Sequence, residues 1–274
     1  MATLSTGPVE LHYEDSGGDG RPVVLVHGWP LSAASWTPVR DAAVEAGYRV
    51  VAYDRRGFGR SAKPGDAVGY DYDALTADLA AVVESLDLRD MTLVGFSMGG
   101  GEVARYAGTR DADRVRSVAF VSAIPPCLLK DPDHPDGALD LETVRGMQQA
   151  LRADPPGFLD QFLTNFFSAA GELKVTEAQR QEALAVARQA DVQAAAECIE
   201  SWTADFTADL ATLRVPTLVV HGDSDAIVPF EKSGQRTHEA VDGSELHVVR
   251  GGPHGLLASH PEEVTRVLLG FLTR

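Results

Sequence analysis

Three side chains in this sequence could together perform acyl transfer. Gly95-Phe96-Ser97-Met98-Gly99 fits G-x-S-x-G, the signature of a serine held on a tight turn between a strand and a helix. A serine hydroxyl is a weak nucleophile near neutral pH and needs a base that is oriented in turn by an acid. Where such a serine sits on an α/β sheet, the acid and the base follow it in that order, on loops after later strands. Gly222-Asp223-Ser224-Asp225-Ala226-Ile227-Val228-Pro229 and Arg250-Gly251-Gly252-Pro253-His254-Gly255-Leu256 occupy those places. Spacing nominates His254 as the base and Asp225 or Asp223 as its orienter. Asp225, further out on its loop, is preferred; Asp223 suits a turn cap, with its carboxylate on nearby backbone N–H groups.

Charge developing on the attacked carbonyl oxygen needs two aimed backbone N–H groups. Met98, the residue after the nucleophile, offers one. Trp29, in His27-Gly28-Trp29-Pro30, offers the other through its backbone. Pro30 lacks an N–H and fixes the backbone just beyond that donor, so it is expected to shape which small nucleophile reaches the acyl group. Pro30, Phe162, Phe166 and Ile227 are the candidates for substrate contact.

These groups must be carried by a layered α/β scaffold. Leu4 to Glu14 alternates as a hairpin edge does. Pro22 to His27, Arg49 to Tyr53, Met91 to Val94, Val115 to Val121, Thr217 to His221 and Glu245 to Val249 read as short buried strands. Helices are expected at Ser35 to Ala46, at Tyr72 to Leu86 (Leu75, Leu79, Val82, Val83 and Leu86 on one face), at Gly100 to Gly108, near Pro229 to Val241 and at Pro261 to Leu272. Strand–helix alternation predicts parallel crossovers and a doubly wound, mostly parallel sheet. It breaks at Ile124-Pro125-Pro126. From there to about Leu213 no convincing strand is visible. Leu141, Val144, Met147 and Leu151 share a helical face, and Phe158, Phe162 and Phe166 form a stripe. Residues 125–213 are therefore expected to form a helical cap inserted into a core of 1–124 and 214–274. The phenylalanines suit cap-to-core packing as well as substrate contact.

The 274 residues suit one large domain with an insertion. Twenty-four Lys and Arg against 40 Asp and Glu give a net charge of −16, which disfavours nucleic acid and anionic membrane as partners. Two cysteines, Cys127 and Cys198, provide no disulfide framework and fit a reducing cytoplasm. Residues 1–7 lack the basic and apolar regions of a secretory signal, and no apolar run approaches the ~20 residues that span a bilayer. His27 and His221 end strands and are expected to make structural hydrogen bonds. His12, His238, His247 and His260 have no visible partners, and Asp54, which precedes the serine, is read as structural. Asp131-Pro132-Asp133-His134-Pro135-Asp136 lacks metal-ligand spacing and reads as a solvated loop.

His27-Gly28-Trp29-Pro30-Leu31, Tyr53-Asp54-Arg55-Arg56-Gly57-Phe58-Gly59-Arg60-Ser61, the elbow extended through Gly100-Gly101-Glu102-Val103-Ala104-Arg105-Tyr106, Asn165-Phe166-Phe167, and the Asp225 and His254 loops together resemble the α/β-hydrolase family. Within it they are similar to the branch of cofactor-free haloperoxidases, perhydrolases and aryl esterases. The resemblance implies an α/β-hydrolase fold and an acyl-Ser97 intermediate. Attack by water would hydrolyse an ester; attack by hydrogen peroxide would give a peracid able to oxidise halide. It implies no haem, metal or flavin, and it implies a homo-oligomer. A plain carboxylesterase or lactonase using the same groups, and a non-catalytic ligand-binding protein on this scaffold, are the alternatives.

Overall fold

Eight strands form one sheet in the order β1-β2-β4-β3-β5-β6-β9-β10. They are β1 (Ala2–Ser5), β2 (Glu10–Asp15), β3 (Pro22–Val26), β4 (Arg49–Tyr53), β5 (Met91–Phe96), β6 (Val115–Val121), β9 (Thr217–Gly222) and β10 (Glu245–Val249). The computed structural model describes residues 2–7, 9–64, 69–109 and 112–274. β2 runs antiparallel to β1 and β4; every pairing from β4 to β10 is parallel. The apolar runs of β3 and β5 follow from that position, with the one polar residue, Thr92, buried against the Ser117 hydroxyl (2.8 Å). Both faces of a parallel sheet are covered by helices, so no residue alternates out to water.

The helices are α1 (Thr37–Glu45), α2 (Tyr72–Ser85), α3 (Gly99–Thr109), α9 (Gly234–Ala240), α10 (Leu256–Ser259) and α11 (Pro261–Leu272) around the sheet, with α4 (Leu141–Ala153), α5 (Pro155–Phe166), α6 (Glu177–Ala187), α7 (Val192–Ser201) and α8 (Thr207–Thr212) between β6 and β9. α2 shows how sequence sets a helix locally. Asp71 caps its first turn by accepting from Ala74 N–H, and Leu75, Leu79, Val82 and Val83 are fully buried.

The strand order places the functional loops. After β3 the chain goes to one side as β4 and then returns to the other side as β5, so the loops leaving β3 and β5 part at adjacent carboxyl ends. A crevice opens at such a switch point.

The structure corrects three expectations. Residues 125–213 contain a strand pair, β7 (Ser168–Ala169) with β8 (Glu172–Leu173), closed by Ala170 and Gly171, both at positive φ. A two-residue ladder leaves no periodic signal. Leu141 is 44% exposed although its spacing put it with Val144 and Leu151; it is the first residue of α4, beyond the packed turns. The helix expected near Pro229 to Val241 is a 3₁₀ turn at Phe230–Lys232 followed by α9. The two are parted at Ser233, which donates its hydroxyl to the Ala123 carbonyl. Among the described residues no helix is long and apolar enough to cross a membrane.

Candidate active site

The serine turn is enforced by backbone crowding. Ser97 sits at φ +53°, a region unfavourable to a residue with a side chain. A Cβ at Gly95 would lie 2.6 Å from Gly100 Cα, and one at Gly99 would lie 2.4 Å from the Val26 carbonyl oxygen. Glycine at both positions lets β5, α3 and β3 meet closely enough to hold that conformation. Ser97 N–H donates to Val121 (2.9 Å), tying the turn to β6.

Ser97 Oγ lies 2.8 Å from His254 Nε2, and His254 Nδ1 lies 2.7 Å from Asp225 Oδ2. All three residues are buried, Asp225 and His254 between loops stitched to each other. Asp223 N–H donates to Val249 (3.1 Å), Ser224 N–H to Gly252 (3.2 Å), and Gly251 N–H to the Asp223 carboxylate (2.7 Å). Asp223 thus ties the two loops, and Asp225 faces the histidine. The other Asp225 oxygen accepts from Ile227 N–H (2.9 Å) and Val228 N–H (2.8 Å), which fixes its plane. Burial works to raise the Asp225 pKa. The facing His254 and His221 override it and hold the carboxyl well below the usual carboxylate range. Asp225 is therefore an anion at any pH near neutral, and it selects the tautomer that leaves His254 Nε2 free to accept the Ser97 proton.

His221 is the residue sequence reasoning undervalued here. It donates from Nε2 to the Val228 carbonyl (2.8 Å), the structural bond expected of it, and the same nitrogen stands 3.3 Å from Asp225 Oδ2. Its place four residues before Asp225, at the end of β9, was the available signal. His27 holds a parallel place after β3: its Nδ1 lies 2.9 Å from the Gly28 carbonyl and its Nε2 accepts from Arg55 N–H (2.9 Å). Partners exist for His238 (Ser244, 2.8 Å), His247 (Glu263, 2.8 Å) and His260 (Ser259, 2.9 Å), whereas the buried ring of His12 makes no hydrogen bond among the described residues and only approaches Asp54 (3.5 Å). Asp54 is buried and accepts from Ala33 and Arg60 N–H, which makes it a loop anchor.

Trp29 and Met98 stand on the two adjacent loops at the switch point, and neither backbone N–H has an acceptor among the described residues. Beneath them lies a polar floor. Arg55 pairs with Glu102 in full burial and donates to the His27 carbonyl (2.7 Å); Tyr53 donates to Glu102 (3.0 Å); Tyr72 donates to the Met98 carbonyl (2.8 Å). Burial raises the Glu102 pKa and Arg55 opposes it, so the pair is stabilised by its own contact rather than by water.

Above the crevice the contacts are apolar. The Trp29 ring packs edge-on against Phe162 (4.7 Å) and Trp202 (5.1 Å), and its indole N–H donates to the Ala195 carbonyl (3.0 Å) on α7. His254 is flanked by Phe96 (5.4 Å) and Phe166 (4.8 Å), and Gly255 N–H donates to the Phe166 carbonyl (2.9 Å). Beyond those two rings opens a cavity of about 350 Å³, walled by Leu31, Phe96, Phe166, Phe167, Val186 and Leu257, with Gln179 and Glu182 also lining it. Of the four candidates for substrate contact, this wall includes Phe166 and not Pro30, Phe162 or Ile227. Pro30 follows a cis peptide bond after Trp29, Phe162 on α5 packs edge-on against the Trp29 ring, and Ile227 bonds Asp225 through its backbone. Phe96, inside the serine motif itself, could have been named from sequence; Leu257 and Val186 carried no such signal.

Residues 21–261 match the family of the alpha/beta hydrolase fold. The chain is 40% identical over 271 residues to a non-heme chloroperoxidase of Kitasatospora aureofaciens, covering 97% of each chain. It is 35% identical over 268 residues to a bifunctional esterase/perhydrolase of Acinetobacter calcoaceticus, covering 96% of each. The crystal structure of a bromoperoxidase from Bacillus anthracis superimposes with a TM-score of 0.95 at 48% identity, covering 100% of this chain and 99% of the other.

Proposed function

This chain belongs to the α/β-hydrolase family, and from that premise we propose that it is a serine hydrolase of carboxylic esters with perhydrolase activity. The observation that carries this reading is the relay from Ser97 Oγ to His254 Nε2 (2.8 Å) and from His254 Nδ1 to Asp225 (2.7 Å). Ser97 Oγ attacks the ester carbonyl while its proton passes to His254 Nε2. The carbonyl oxygen becomes an oxyanion between the N–H groups of Trp29 and Met98. Collapse breaks the ester C–O bond, and the leaving alkoxide takes the proton back from His254. Acyl-Ser97 remains.

Water, deprotonated by His254, then releases the carboxylic acid. Hydrogen peroxide in the same place releases a peracid, and a carboxylic acid can supply the acyl group by the reverse of hydrolysis. The peracid and a halide ion, with one proton, give carboxylic acid and hypohalous acid outside the protein, so oxidation is not performed by the site itself. Pro30 removes an N–H beside the oxyanion donors, and its role in this reading is to bias which acceptor attacks.

Plain ester hydrolysis is the second reading. It is favoured by the apolar cavity beyond Phe96 and Phe166, which has room for an acyl or alcohol group larger than acetate. The free, buried thiols Cys127 and Cys198 fit a reducing cytoplasm. A homo-oligomer belongs to the same proposal and is checked by light scattering.

Turnover of p-nitrophenyl acetate that disappears in Ser97→Ala while the fold persists separates an enzyme from a binding protein. Bromination dependent on acetate and peroxide is then measured beside ester hydrolysis in one preparation. Its absence leaves the plain esterase reading. Pro30→Leu should change the ratio of the two activities; an unchanged ratio removes Pro30 from the mechanism.

A further inference from the structure

A second cluster of reactive side chains lies where the insertion leaves and rejoins the sheet. Cys127 stands in the segment after β6, and Asp205 stands just before α8. His134 lies between them in the cap loop, and one ligand atom from each falls within 4.8 Å of the others. His134 Nε2 is 3.5 Å from Asp205 Oδ2. In a tetrahedral site with bonds of about 2.0–2.3 Å, ligand atoms stand roughly 3.3–3.6 Å apart, so the nitrogen and the oxygen are already at coordination spacing. The Cys127 sulfur lies within 4.8 Å of both and completes the set.

The supporting bonds prepare these atoms. Asp131 Oδ1 lies 2.9 Å from His134 Nδ1 and accepts the backbone N–H groups of Asp133 (3.0 Å) and His134 (2.7 Å). Nδ1 is thereby held as a donor to Asp131, and Nε2 faces Asp205; the two carboxylates raise the His134 pKa, so an ion entering there displaces the Nε2 proton. Asp205 Oδ1 accepts from Thr207 N–H (2.8 Å), so Oδ2 is the oxygen turned toward His134. Cys127 is 1% exposed, while His134 and Asp205 are open to solvent, so an ion would enter from outside onto a sulfur at the bottom. Arg236, which donates to the Cys127 carbonyl at 3.3 Å, is the nearby opposing charge, set against Asp131, Asp205 and the thiolate.

We propose that Cys127 Sγ, His134 Nε2 and Asp205 Oδ2 bind one zinc-type divalent cation, with water completing a tetrahedral shell. A thiolate, an imidazole and one carboxylate favour zinc or cobalt over magnesium or calcium, which demand oxygen ligands. Binding releases the Cys127 thiol proton and the His134 Nε2 proton to solvent and forms a metal–sulfur and a metal–nitrogen bond in their place. The ion joins the two ends of the insertion, which already meet where Phe206 N–H donates to the Pro126 carbonyl (2.8 Å). Its role is to clamp the cap hinge; Ser97, His254 and Asp225 are not among its ligands. The Asp131–His134 stretch, which has no ligand spacing of its own, acquires a site only through Cys127 and Asp205.

The test uses the full chain, stripped with a chelator and titrated with Co²⁺ alone. A thiolate-to-cobalt band in the near ultraviolet, saturating at one equivalent and removed by Zn²⁺ but not by Mg²⁺, is expected. The same zinc should raise the melting temperature and leave p-nitrophenyl acetate turnover within about twofold. Cys127→Ser should abolish the band, Cys198→Ser should keep it, and Asp131→Asn should weaken zinc binding by roughly tenfold. If Cys127→Ser does not fold, His134→Gln, on the half-exposed side, is read in its place and should also lose the band. Absence of a near-ultraviolet band in the parent chain, or zinc held equally well by His134→Gln, overturns the site.

Discussion

The floor and the roof of the crevice are built on different physics. Below Ser97 the contacts are directional: Arg55 to Glu102 and the His27 carbonyl, Tyr53 to Glu102, Tyr72 to the Met98 carbonyl. Above it, Trp29, Phe162, Phe166 and Trp202 meet ring on ring, with one indole N–H bond to Ala195. Hydrogen bonds and a buried ion pair hold atoms to a fraction of an ångström, which acyl chemistry requires of its nucleophile and N–H donors. Aromatic packing is less directional and tolerates repacking, which suits a surface that must accept a ligand. In the proposed reading, the floor sets what reaction can happen and the roof sets what reaches it.

The largest test of that division lies in the relay itself. Asp225→Asn should lower kcat for p-nitrophenyl acetate by about 10⁴-fold with the circular dichroism spectrum unchanged, because an amide favours the wrong tautomer of His254. Asp223→Asn should cost far less, since its carboxylate meets Gly251 N–H and the Ser224 hydroxyl and not the histidine. A reversed ranking would transfer the role to Asp223.

Breaking the floor should cost stability before anything else. Glu102→Gln leaves the Arg55 charge buried and uncompensated, for a loss of about 3–5 kcal/mol in urea unfolding. A loss below about 1 kcal/mol would mean that the ion pair is not what holds the elbow.

The roof should respond differently. Phe166→Leu should change the preference between short and bulky esters by about tenfold through KM, while kcat for acetate esters persists. Equal losses on every ester would place Phe166 in the relay through His254, and the floor–roof distinction would fail there.

The smallest effect is in pH. Burial, reinforced by Arg55, holds the His27 pKa well below its ordinary 6.5, and burial with Arg60 lowers that of His12. The unfolded chain therefore binds protons near that pH that the native protein refuses. Stability should be flat above about pH 6.5 and fall below it, by up to roughly 1.4 kcal/mol per pH unit from His27. Urea unfolding between pH 5 and 8 reads this slope, and His27→Gln should flatten it. A slope that persists in His27→Gln would assign it elsewhere.

Much of the fold was legible because its signals are local. Continuous β-branched runs mark strands covered on both faces, and Leu75, Leu79, Val82 and Val83 mark one buried helical face. The two-residue β7–β8 ladder and the exposed Leu141 escaped, since neither a short hairpin nor the first residue of a helix has a period to read. In the candidate site, the glycines at 95 and 99 could be assigned from motif alone, because any side chain there strikes backbone. His221 beside Asp225 was within reach of sequence, four residues away, but its direction was not.

By itself, then, the sequence determined the strand–helix order, the strained serine turn, and the loops from which a base and an acid could come. Only the tertiary structure decided that Asp225 and not Asp223 faces His254, that Phe166 and not Phe162 walls the cavity, and that Cys127 and Asp205 meet His134. The physical reason is separation along the chain. Ser97 and His254 lie 157 positions apart yet 2.8 Å from each other. Strand order and cap packing set such a distance, and no local period or propensity encodes either.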